Sequence, residues 1–296
     1  MFLFEIWEIT LNHSGKPEIS VLIVTYNNAI TIEDCLKAIS GQSIPASEIM
    51  IFDNFSEDET LSILRKCPNI KLTESPNNIG FAAAMNRLAD QASGKYFFIL
   101  NPDCRCPSDT LQSLFLFVQT HSGAISPALV FPGGKIQPSA REFPDYTNII
   151  YSRRSPLSLF GLFGGNKAGF LTPGQATTVP VVSATALFIS KSTFDAVGRF
   201  DERFFLYCED IDLCRKLRDH KIDIWYLPEL KVTHLLRVSS RKNPLKPLYH
   251  HHCAILKYFT KYNPHRYIRN SILFIMLVIG FMISAVFAMV SNREHK

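Results

Sequence analysis

The stretch ISVLIVTYNN, residues 19–28, decides the fold class of this 296-residue chain. Residues 19–25 form a continuous run rich in apolar and β-branched side chains, which is typical of a strand buried on both faces of a sheet. Polar residues follow immediately, where that strand ends. Two further apolar runs, EIMIF at 48–52 and KYFFIL at 95–100, predict strands of the same kind.

Segments with helical spacing of apolar residues alternate with these strands. This alternation predicts βαβ units, and therefore an α/β fold in which helices flank a mostly parallel sheet. It weakens after residue 123, and 132–180 is rich in Gly, Pro, Ser and aromatic residues without periodicity, which is typical of a functional loop. The predicted helices are 30–40, 57–66, 79–92, 108–119, 192–197, 209–220 and 245–262, and the further strands are 70–73, 124–131, 181–190, 222–226 and 231–233.

The composition excludes several classes of protein. Lys and Arg number 31 against 26 Asp and Glu, which gives a net charge of +5. That charge is too small for a dedicated nucleic-acid binder, so no nucleic-acid partner is expected. Hydrophobic residues make up 47% of the chain, which excludes disorder over most of it. Neither the dinucleotide-binding motif GxGxxG nor the P-loop motif GxxxxGK[ST] occurs.

The C-terminal part of the sequence predicts a membrane helix. Residues 272–290 carry no charge, and as a helix they would extend roughly 28 Å, close to the ~30 Å hydrocarbon core of a bilayer. A buried core helix is the alternative, but the segment has no polar face. Basic residues are more numerous upstream, which favours a single-pass helix in the inner (cytoplasmic) membrane with the main domain in the cytoplasm. The predicted organisation is a peripheral segment at 1–17, an α/β domain at 18–242, a basic and aromatic helical segment at 243–270, and a transmembrane or membrane-embedded helix at 271–291.

Three polar clusters follow strands of the predicted sheet. Ligands of open parallel sheets bind at the carboxyl ends of the strands, so these clusters are candidate binding residues. Asp103 fits two interpretations: a ligand of a hard divalent cation that binds phosphate oxygens, or the cap of an Asx turn. The clusters are Thr25-Tyr26-Asn27-Asn28, Asp53-Asn54-Phe55-Ser56 and Asn101-Pro102-Asp103.

A fourth cluster, FLYCEDID at 205–212, combines aromatic and acidic residues. Glu209, Asp210 and Asp212 at a helix start complement the helix dipole. Neighbouring aromatic residues would desolvate them, which raises a carboxyl pKa and favours a role as proton acceptor. His234 follows a short strand and fits a core histidine, a metal ligand or a phosphate contact.

These motifs, taken in order, resemble family 2 glycosyltransferases with the GT-A fold. The resemblance covers about residues 18–242, which makes this segment the predicted catalytic domain. It rests on VLIVTYNN (21–28), IFDNFSEDET (51–60), NNIGFAAAMNRL (77–88), ILNPDC (99–104) and FDERFFLYCEDIDLCRKL (200–217). The NPD form, SAREFP (139–144) and VTHLLRVSS (232–240) resemble the bacterial rhamnosyltransferase-like branch.

The resemblance implies a nucleotide-sugar site along the sheet edge. Thr25, Tyr26, Asn27 and Asp53 match residues that surround the base and ribose. Further implied substrate-binding residues, on the nucleotide, sugar and diphosphate side, are Asn54, Gly80, Phe81, Asn86, Asn101 and Arg141.

The resemblance also implies the catalytic groups. Asp103 matches the last residue of the family's DxD-type motif, which binds Mg²⁺ or Mn²⁺ on the diphosphate, and His234 matches a histidine that helps to hold the metal or the diphosphate. Asp210 matches the catalytic base, and Glu209 and Asp212 would orient it or bind the acceptor.

The expected function is inverting transfer of a sugar from a dTDP-, UDP- or GDP-linked donor to a hydroxyl group. Rhamnose is indicated by the branch alone, and the apolar C-terminal segment suggests a lipid-linked glycan acceptor in cell-surface polysaccharide synthesis. Two alternatives stay open: a metal-dependent nucleotidyltransferase that uses the same sheet edge, and a non-catalytic membrane scaffold of a polysaccharide assembly complex.

Overall fold

A computed structural model describes residues 17–150, 170–235 and 245–291. The described part of the chain is an α/β structure. In chain order, its strands are β1 (Ile19–Thr25), β2 (Glu48–Asp53), β3 (Lys71–Glu74), β4 (Tyr96–Leu100), β5 (Cys104–Arg105), β6 (Ala124–Val130), β7 (Ala140–Arg141), β8 (Phe170–Leu171), β9 (Thr177–Thr178), β10 (Val181–Val182), β11 (Ala186–Ser190) and β12 (Ile224–His234). Its helices are α1 (Ile32–Ser40), α2 (Thr60–Leu64), α3 (Phe81–Gln91), α4 (Thr110–Thr120), α5 (Tyr146–Ile150), α6 (Lys191–Ala196), α7 (Glu209–Asp219), α8 (Leu245–Tyr262) and α9 (Tyr267–Ser291).

The main sheet has the strand order β3-β2-β1-β4-β11-β6-β12-β5, and β9 pairs with β12 outside that path. Strands β3, β2, β1 and β4 are parallel. Strand β11 is antiparallel to both β4 and β6, and β12 is parallel to β6. Consequently β1, β2, β4, β6 and β12 all point their carboxyl ends to one edge. The predicted mostly parallel sheet is confirmed.

Helices cover both faces of the sheet. Successive residues of a buried strand point to opposite faces, so each face of β1 packs against its own set of helices. In β1, Leu22 and Val24 pack with α3, α6, α7 and α8. Val21 and Ile23 face the other way and pack with α1 and α4. This two-sided burial explains why β1 has no polar alternation in its sequence.

The structure corrects several predicted boundaries. The helix expected at 57–66 occupies only Thr60–Leu64, and Ser56, which precedes the expected helix, donates from its hydroxyl and its N–H to Asp53. The two strands expected at 222–226 and 231–233 form the single strand β12, whose register shifts between Leu227 and Lys231. The strand expected at 181–190 is divided into β10 and β11, and β10 forms a separate three-stranded sheet with β7 and β8, which lie within 132–180. Predictions for residues 1–16, 151–169 and 236–244 lie outside the described residues.

Glu48 fastens the edge of the sheet opposite to these carboxyl ends. Its Oε1 accepts hydrogen bonds from Ser20 Oγ at 2.5 Å and from the Ser93 N–H at 2.7 Å, and its Oε2 accepts one from Lys71 Nζ at 2.6 Å. Burial alone would raise the pKa of this carboxyl. The hydrogen bonds from Lys71, Ser20 and Ser93 outweigh burial and lower the pKa from 4.5 to about 2.

Glu48→Gln is expected to lower the free energy of unfolding by about 2–3 kcal/mol at neutral pH, because charge-assisted hydrogen bonds are lost around a buried side chain. The pKa of Glu48 is lower in the folded state, so its stabilisation is complete above about pH 5 and is lost as the pH falls towards 2. Urea unfolding at a series of pH values measures this, with the exposed Glu57→Gln as control. A Glu48→Gln effect that stays constant from pH 7 to pH 3 would contradict the assignment.

Candidate active site

Asp53 joins the first two loops at the carboxyl edge of the sheet. It is only 1% exposed and lies opposite Thr25 in the β1–β2 register. Its Oδ1 accepts from Thr25 Oγ1 at 2.9 Å and from Ser56 Oγ at 2.6 Å, and its Oδ2 accepts from the Ser56 N–H at 2.9 Å. The carboxylate is therefore fixed by three donors.

Asn27 joins the same two loops from the other side. It adopts a left-handed φ of 55°, a conformation that Asn tolerates better than most residues. Its Oδ1 accepts from the Glu57 N–H at 2.8 Å, and its own N–H donates to Ser56 Oγ at 2.9 Å. The neighbouring Tyr26 is half-buried. The structure thus brings together Thr25, Tyr26, Asn27 and Asp53, which the sequence predicted as one group.

Gly80 allows the start of α3 to approach the loop at 200–208. Its φ is 86°, and a Cβ added there would lie 2.5 Å from the carbonyl oxygen of Phe205. The Phe81 N–H donates to that same oxygen at 2.9 Å. Asn54 supports this approach, because its Oδ1 accepts from the Ile79 N–H at 2.8 Å. These contacts require a residue without a side chain at position 80.

Asn86, a predicted substrate-binding residue, holds the 200–208 loop. Its Nδ2 donates to the Phe200 carbonyl and to Glu202 Oε1, both at 3.0 Å, and its Oδ1 accepts from the Phe200 N–H at 3.2 Å. Phe81 packs edge-on against Phe200, with ring centroids 5.6 Å apart. In this structure Asn86 therefore supports the loop that leads to α7.

Asp103 and His234 meet where β5 pairs with β12. The register places His234 opposite Cys104, and His234 Nε2 lies 3.3 Å from Asp103 Oδ1. Both residues are buried. Because 130 residues lie between Asp103 and His234 in the sequence, only the folding of the chain brings the two side chains together.

Gln137 fixes the orientation of the His234 ring. Its Nε2 donates to the His234 carbonyl oxygen at 2.6 Å, so its Oε1 faces His234 Nδ1 at 2.9 Å. Nδ1 must then carry the proton, and in a neutral ring Nε2 directs its lone pair at the Asp103 carboxylate. Sequence reasoning missed Gln137, because it lies in the aperiodic 132–180 stretch and belongs to no motif.

The arrangement of Asp103 and His234 fits a divalent cation. Two lone-pair-bearing atoms 3.3 Å apart repel each other unless a proton or a cation lies between them. An imidazole nitrogen whose other N–H is held by an oxygen, together with a carboxylate, is a common partial ligand set. Over the described ranges, no group of three or more His, Cys, Asp and Glu side chains could hold a metal. Substrate phosphates and water are the usual further ligands of Mg²⁺.

Asp210 faces Arg141 at the start of α7. Arg141 Nη2 lies 3.7 Å from Asp210 Oδ2, and Asp210 Oδ1 accepts from the Ile211 N–H at 2.8 Å. Two successive non-glycine residues with left-handed φ, Tyr207 at 71° and Cys208 at 64°, precede the helix. Such strained positions cluster at functional sites.

Glu209, beside Asp210, is buried in a way that favours its neutral form. Its Oε2 has no hydrogen-bond partner. Desolvation by burial raises the pKa of Glu209 well above its ordinary 4.5; the charge of Asp210 raises it further, and Arg141 opposes the shift only weakly. The negative charge of this pair is therefore concentrated on Asp210.

Asp212 contacts residues of α8. Its side chain is fully buried, and its Oδ1 accepts from Tyr262 Oη at 2.8 Å and from Lys261 Nζ, both on α8. Two positions along a helix correspond to a rotation of about 200°, which turns Asp212 away from the direction of Asp210. In this structure its contacts join α7 to α8.

The two groups of residues are connected through the backbone. The Asn101 N–H donates to the Thr185 carbonyl at 2.8 Å. Thr185 follows β10, whose Val181 pairs with Arg141 of β7. Backbone pairing therefore links the segment that contains Asp103 to the strand that contains Arg141.

The mostly parallel sheet, with helices on both faces and interlocked polar loops at its carboxyl edge, is the α/β architecture of the GT-A class. The chain belongs to glycosyl transferase family 2, whose family model matches residues 20–172. It is therefore a glycosyltransferase, as the sequence motifs indicated. The matched range includes Asp53 and Asp103, whereas Asp210 and His234 lie beyond it.

Known proteins are similar over most of this chain. The N-acetylglucosaminyl-diphospho-decaprenol L-rhamnosyltransferase of Mycobacterium tuberculosis (strain CDC 1551 / Oshkosh) is 26% identical over 252 residues, which cover 78% of this chain and 80% of that protein. This relative confirms the resemblance to rhamnosyltransferases.

Two solved structures show the fold. GalNAc-T7 with UDP, GalNAc and Mn²⁺ matches with a TM-score of 0.59 at 16% identity, over 76% of this chain and 45% of its own. The mannosyltransferase PcManGT from Pyrobaculum calidifontis, in complex with GDP-Man and Mn²⁺, matches with a TM-score of 0.58 at 18% identity, over 95% of this chain and 81% of its own. The present chain thus spans less than half the length of the first of these structures.

Proposed function

We propose that this glycosyltransferase moves a sugar, with inversion, from a nucleoside-diphosphate sugar to a hydroxyl of a lipid-linked glycan. The proposal is supported above all by two charged pairs: Asp103 lies beside His234, and Asp210 lies beside Arg141. One pair suits a diphosphate with its cation, and the other suits an acceptor hydroxyl. The catalytic domain in this proposal spans residues 18–242.

The nucleoside would bind against the loops that Asp53 joins. A carboxylate offers about four acceptor positions, and three of those of Asp53 are used by Thr25 and Ser56. One position is left to accept from the base or the ribose. Thr25, Tyr26, Asn27 and Asn54 shape the same loops, and Gly80 lets the backbone come close.

Asp103 and His234 would hold Mg²⁺ or Mn²⁺ on the donor diphosphate. When bound, the cation offsets the negative charge that builds on the departing diphosphate. Gln137 fixes the ring of His234 so that Nε2 faces Asp103. Asn101 lies two residues before Asp103, and its N–H donates a hydrogen bond to the Thr185 carbonyl oxygen, which holds this turn against the neighbouring segment.

Asp210 would accept the proton of the acceptor hydroxyl. As the acceptor oxygen forms its bond to the anomeric carbon, the bond from that carbon to the diphosphate oxygen breaks on the opposite face, so the configuration inverts. The proton passes to Asp210, and the nucleoside diphosphate leaves with the bonding electron pair. Arg141 holds the Asp210 carboxylate, and a neutral Glu209 avoids a second charge beside it.

Two observations support a lipid-linked acceptor: the name of the mycobacterial relative and the apolar C-terminal helix α9. The name of the mycobacterial relative describes transfer of rhamnose to a prenyl-diphosphate-linked sugar. Helix α9 includes a segment, Tyr267–Ala285, that is long and apolar enough to cross a membrane by length and composition. We therefore propose a prenyl-diphosphate glycan as acceptor, rhamnose as the first donor sugar to test, and a location at the cytoplasmic membrane with the catalytic domain in the cytoplasm.

The proposal is tested by incubating the chain with dTDP-rhamnose, UDP-sugars and GDP-sugars, with Mn²⁺ or Mg²⁺, and with or without a prenyl-diphosphate-GlcNAc acceptor. We expect one donor to release its nucleoside diphosphate in proportion to the glycan formed, and to stabilise the protein by about 2.7 kcal/mol at 100 times its Kd. Release of the sugar 1-phosphate instead would indicate nucleotidyl transfer. Failure of every donor to bind would leave only a scaffold role.

A further inference from the structure

Helix α9 has one face packed on the protein and one broad face that the described residues leave open. Leu273 and Leu277 lie on the packed face and are buried. At about 100° per residue, the exposed positions occupy close to half of the helix circumference. They include Ile268 at 78% exposure and Met282 at 62%, with Phe274, Ile275, Val278 and Ile279 between them.

Helix α9 runs back along α8. A short turn, with Asn263 and Arg266 joined by a backbone hydrogen bond, connects the two helices. Near the start of α9, Asn270 Nδ2 donates to the Asn263 carbonyl at 3.0 Å. Fourteen residues after Tyr267, the Phe281 ring contacts Tyr249 and His252 of α8, with centroids 6.3 and 5.9 Å apart. The two helices therefore form an antiparallel hairpin.

Helix α8 is in turn bound to the loop that leads to α7. His250 stacks on Phe205 with centroids 4.4 Å apart. Lys257 Nζ donates to the Arg203 carbonyl at 2.8 Å. Lys261 Nζ forms an ion pair of 2.7 Å with Asp201 and another with Asp212. The hairpin is thus fixed to the α/β domain by polar and charged contacts.

These contacts leave too little free helix for a membrane span. From Tyr267 to Phe281 about 21 Å of α9 lies against α8, and from Met282 to Ser291 about 15 Å remains, against a hydrocarbon core of ~30 Å. If α9 crossed the bilayer in this arrangement, it would carry Lys257, Lys261 and their partners into hydrocarbon. Charged side chains there cost at least ~2.5 kcal/mol each.

The charge around α9 matches an anionic surface. Between Leu230 and Asn292 the sequence contains no Asp or Glu. Lys246, Arg266 and Arg269 are exposed on the hairpin. Basic residues beside an apolar helix face are the pattern of helices that bind anionic lipid headgroups.

We propose that α9 docks lengthwise on an anionic phospholipid bilayer, with its open face in the headgroup and acyl boundary, and does not cross the bilayer. This explains why the helix is apolar all round: one face packs on α8 and the other contacts lipid. A second copy of the chain fits less well, because helix pairs bury a narrower seam and the charged residues of the hairpin, within 245–291, are all Lys or Arg. The inference does not depend on the proposed function.

Spin-label depth measurements on the full chain distinguish docking from spanning. Labels are placed at positions 268, 275 and 282, each about 10 Å further along the helix axis, after Cys67 and Cys253, the two half-buried thiols, are replaced by serine. On vesicles of phosphatidylethanolamine and phosphatidylglycerol, we expect the three labels to share one depth, about 5–10 Å into the boundary. A depth that changes by about 10 Å from one label to the next would overturn the proposal in favour of a span.

A vesicle flotation assay provides an independent test. Ile275→Lys/Ile279→Lys is expected to weaken binding to the same vesicles by about 100-fold, since two apolar side chains lose burial. The control is Ile30→Lys, an isoleucine that is 83% exposed and distant from the hairpin in sequence; it should bind as the parent does. An unchanged thermal unfolding midpoint shows that both variants are folded. Undiminished flotation of the α9 variant, or spin–spin broadening between copies without lipid contact, would refute docking.

Discussion

Asp210→Asn is expected to lower turnover by about 10²- to 10⁴-fold, the usual contribution of a general base, while donor affinity stays within a factor of two. The amide keeps the size of the side chain but cannot accept the acceptor proton. The loops proposed to bind the nucleoside are joined by hydrogen bonds of Asp53, Ser56 and Asn27. Initial rates and isothermal titration with the donor separate the two effects.

The matched control for this variant is Asp219→Asn. Asp219 lies at the other end of α7, is exposed, and pairs with Arg218 at 2.8 Å. It should leave turnover unchanged. If Asp210→Asn retained the parent turnover, or if it abolished donor binding, the assignment of Asp210 as the base would be wrong.

Asp103→Asn is expected to lower turnover by about 10³-fold, because a cation on the diphosphate provides several kcal/mol of charge stabilisation. The variant keeps an oxygen at the site but removes the negative charge that faces His234. Mn²⁺ affinity, measured by electron paramagnetic resonance in the presence of nucleoside diphosphate, should fall together with turnover. Parent-like Mn²⁺ affinity in Asp103→Asn would place the cation elsewhere.

Gln137→Leu provides a graded version of the same test. It leaves Asp103 and His234 in place but removes the oxygen that fixes the His234 tautomer, and loss of such a supporting partner typically costs 10- to 100-fold in metal affinity. Gln119→Leu, on the exposed end of α4, is the control. A Gln137→Leu variant with unchanged Mn²⁺ affinity would show that the ring needs no support.

Local patterning determined the sheet and its binding edge. The apolar run of β1, the similar runs of β2 and β4, and the polar residues that follow them specify buried parallel strands with a common carboxyl edge. The start of α7 at Glu209 and the full extent of α8 were also predicted correctly. These features depend on the order of nearby residues, which a single sequence shows directly.

Asp212 and Gln137 show what local patterning misses. Asp212 belongs to the same acidic cluster as Asp210, but helix geometry turns it towards Lys261 and Tyr262. Gln137 belongs to no motif, and only the packing of its loop on the end of β12 makes it a partner of His234. Both roles arise from contacts across many residues of chain, for which the sequence contains no local signal.

The sequence by itself determined the family, the buried strands and the candidate carboxylates, because each of these is encoded in short runs of residue types. Tertiary structure alone decided which side chains meet. It paired Asp103 with His234 and Arg141 with Asp210, and it folded α9 back along α8. An apolar helix has the same composition whether it crosses a bilayer or packs one face on protein, and only its neighbours in space distinguish the two.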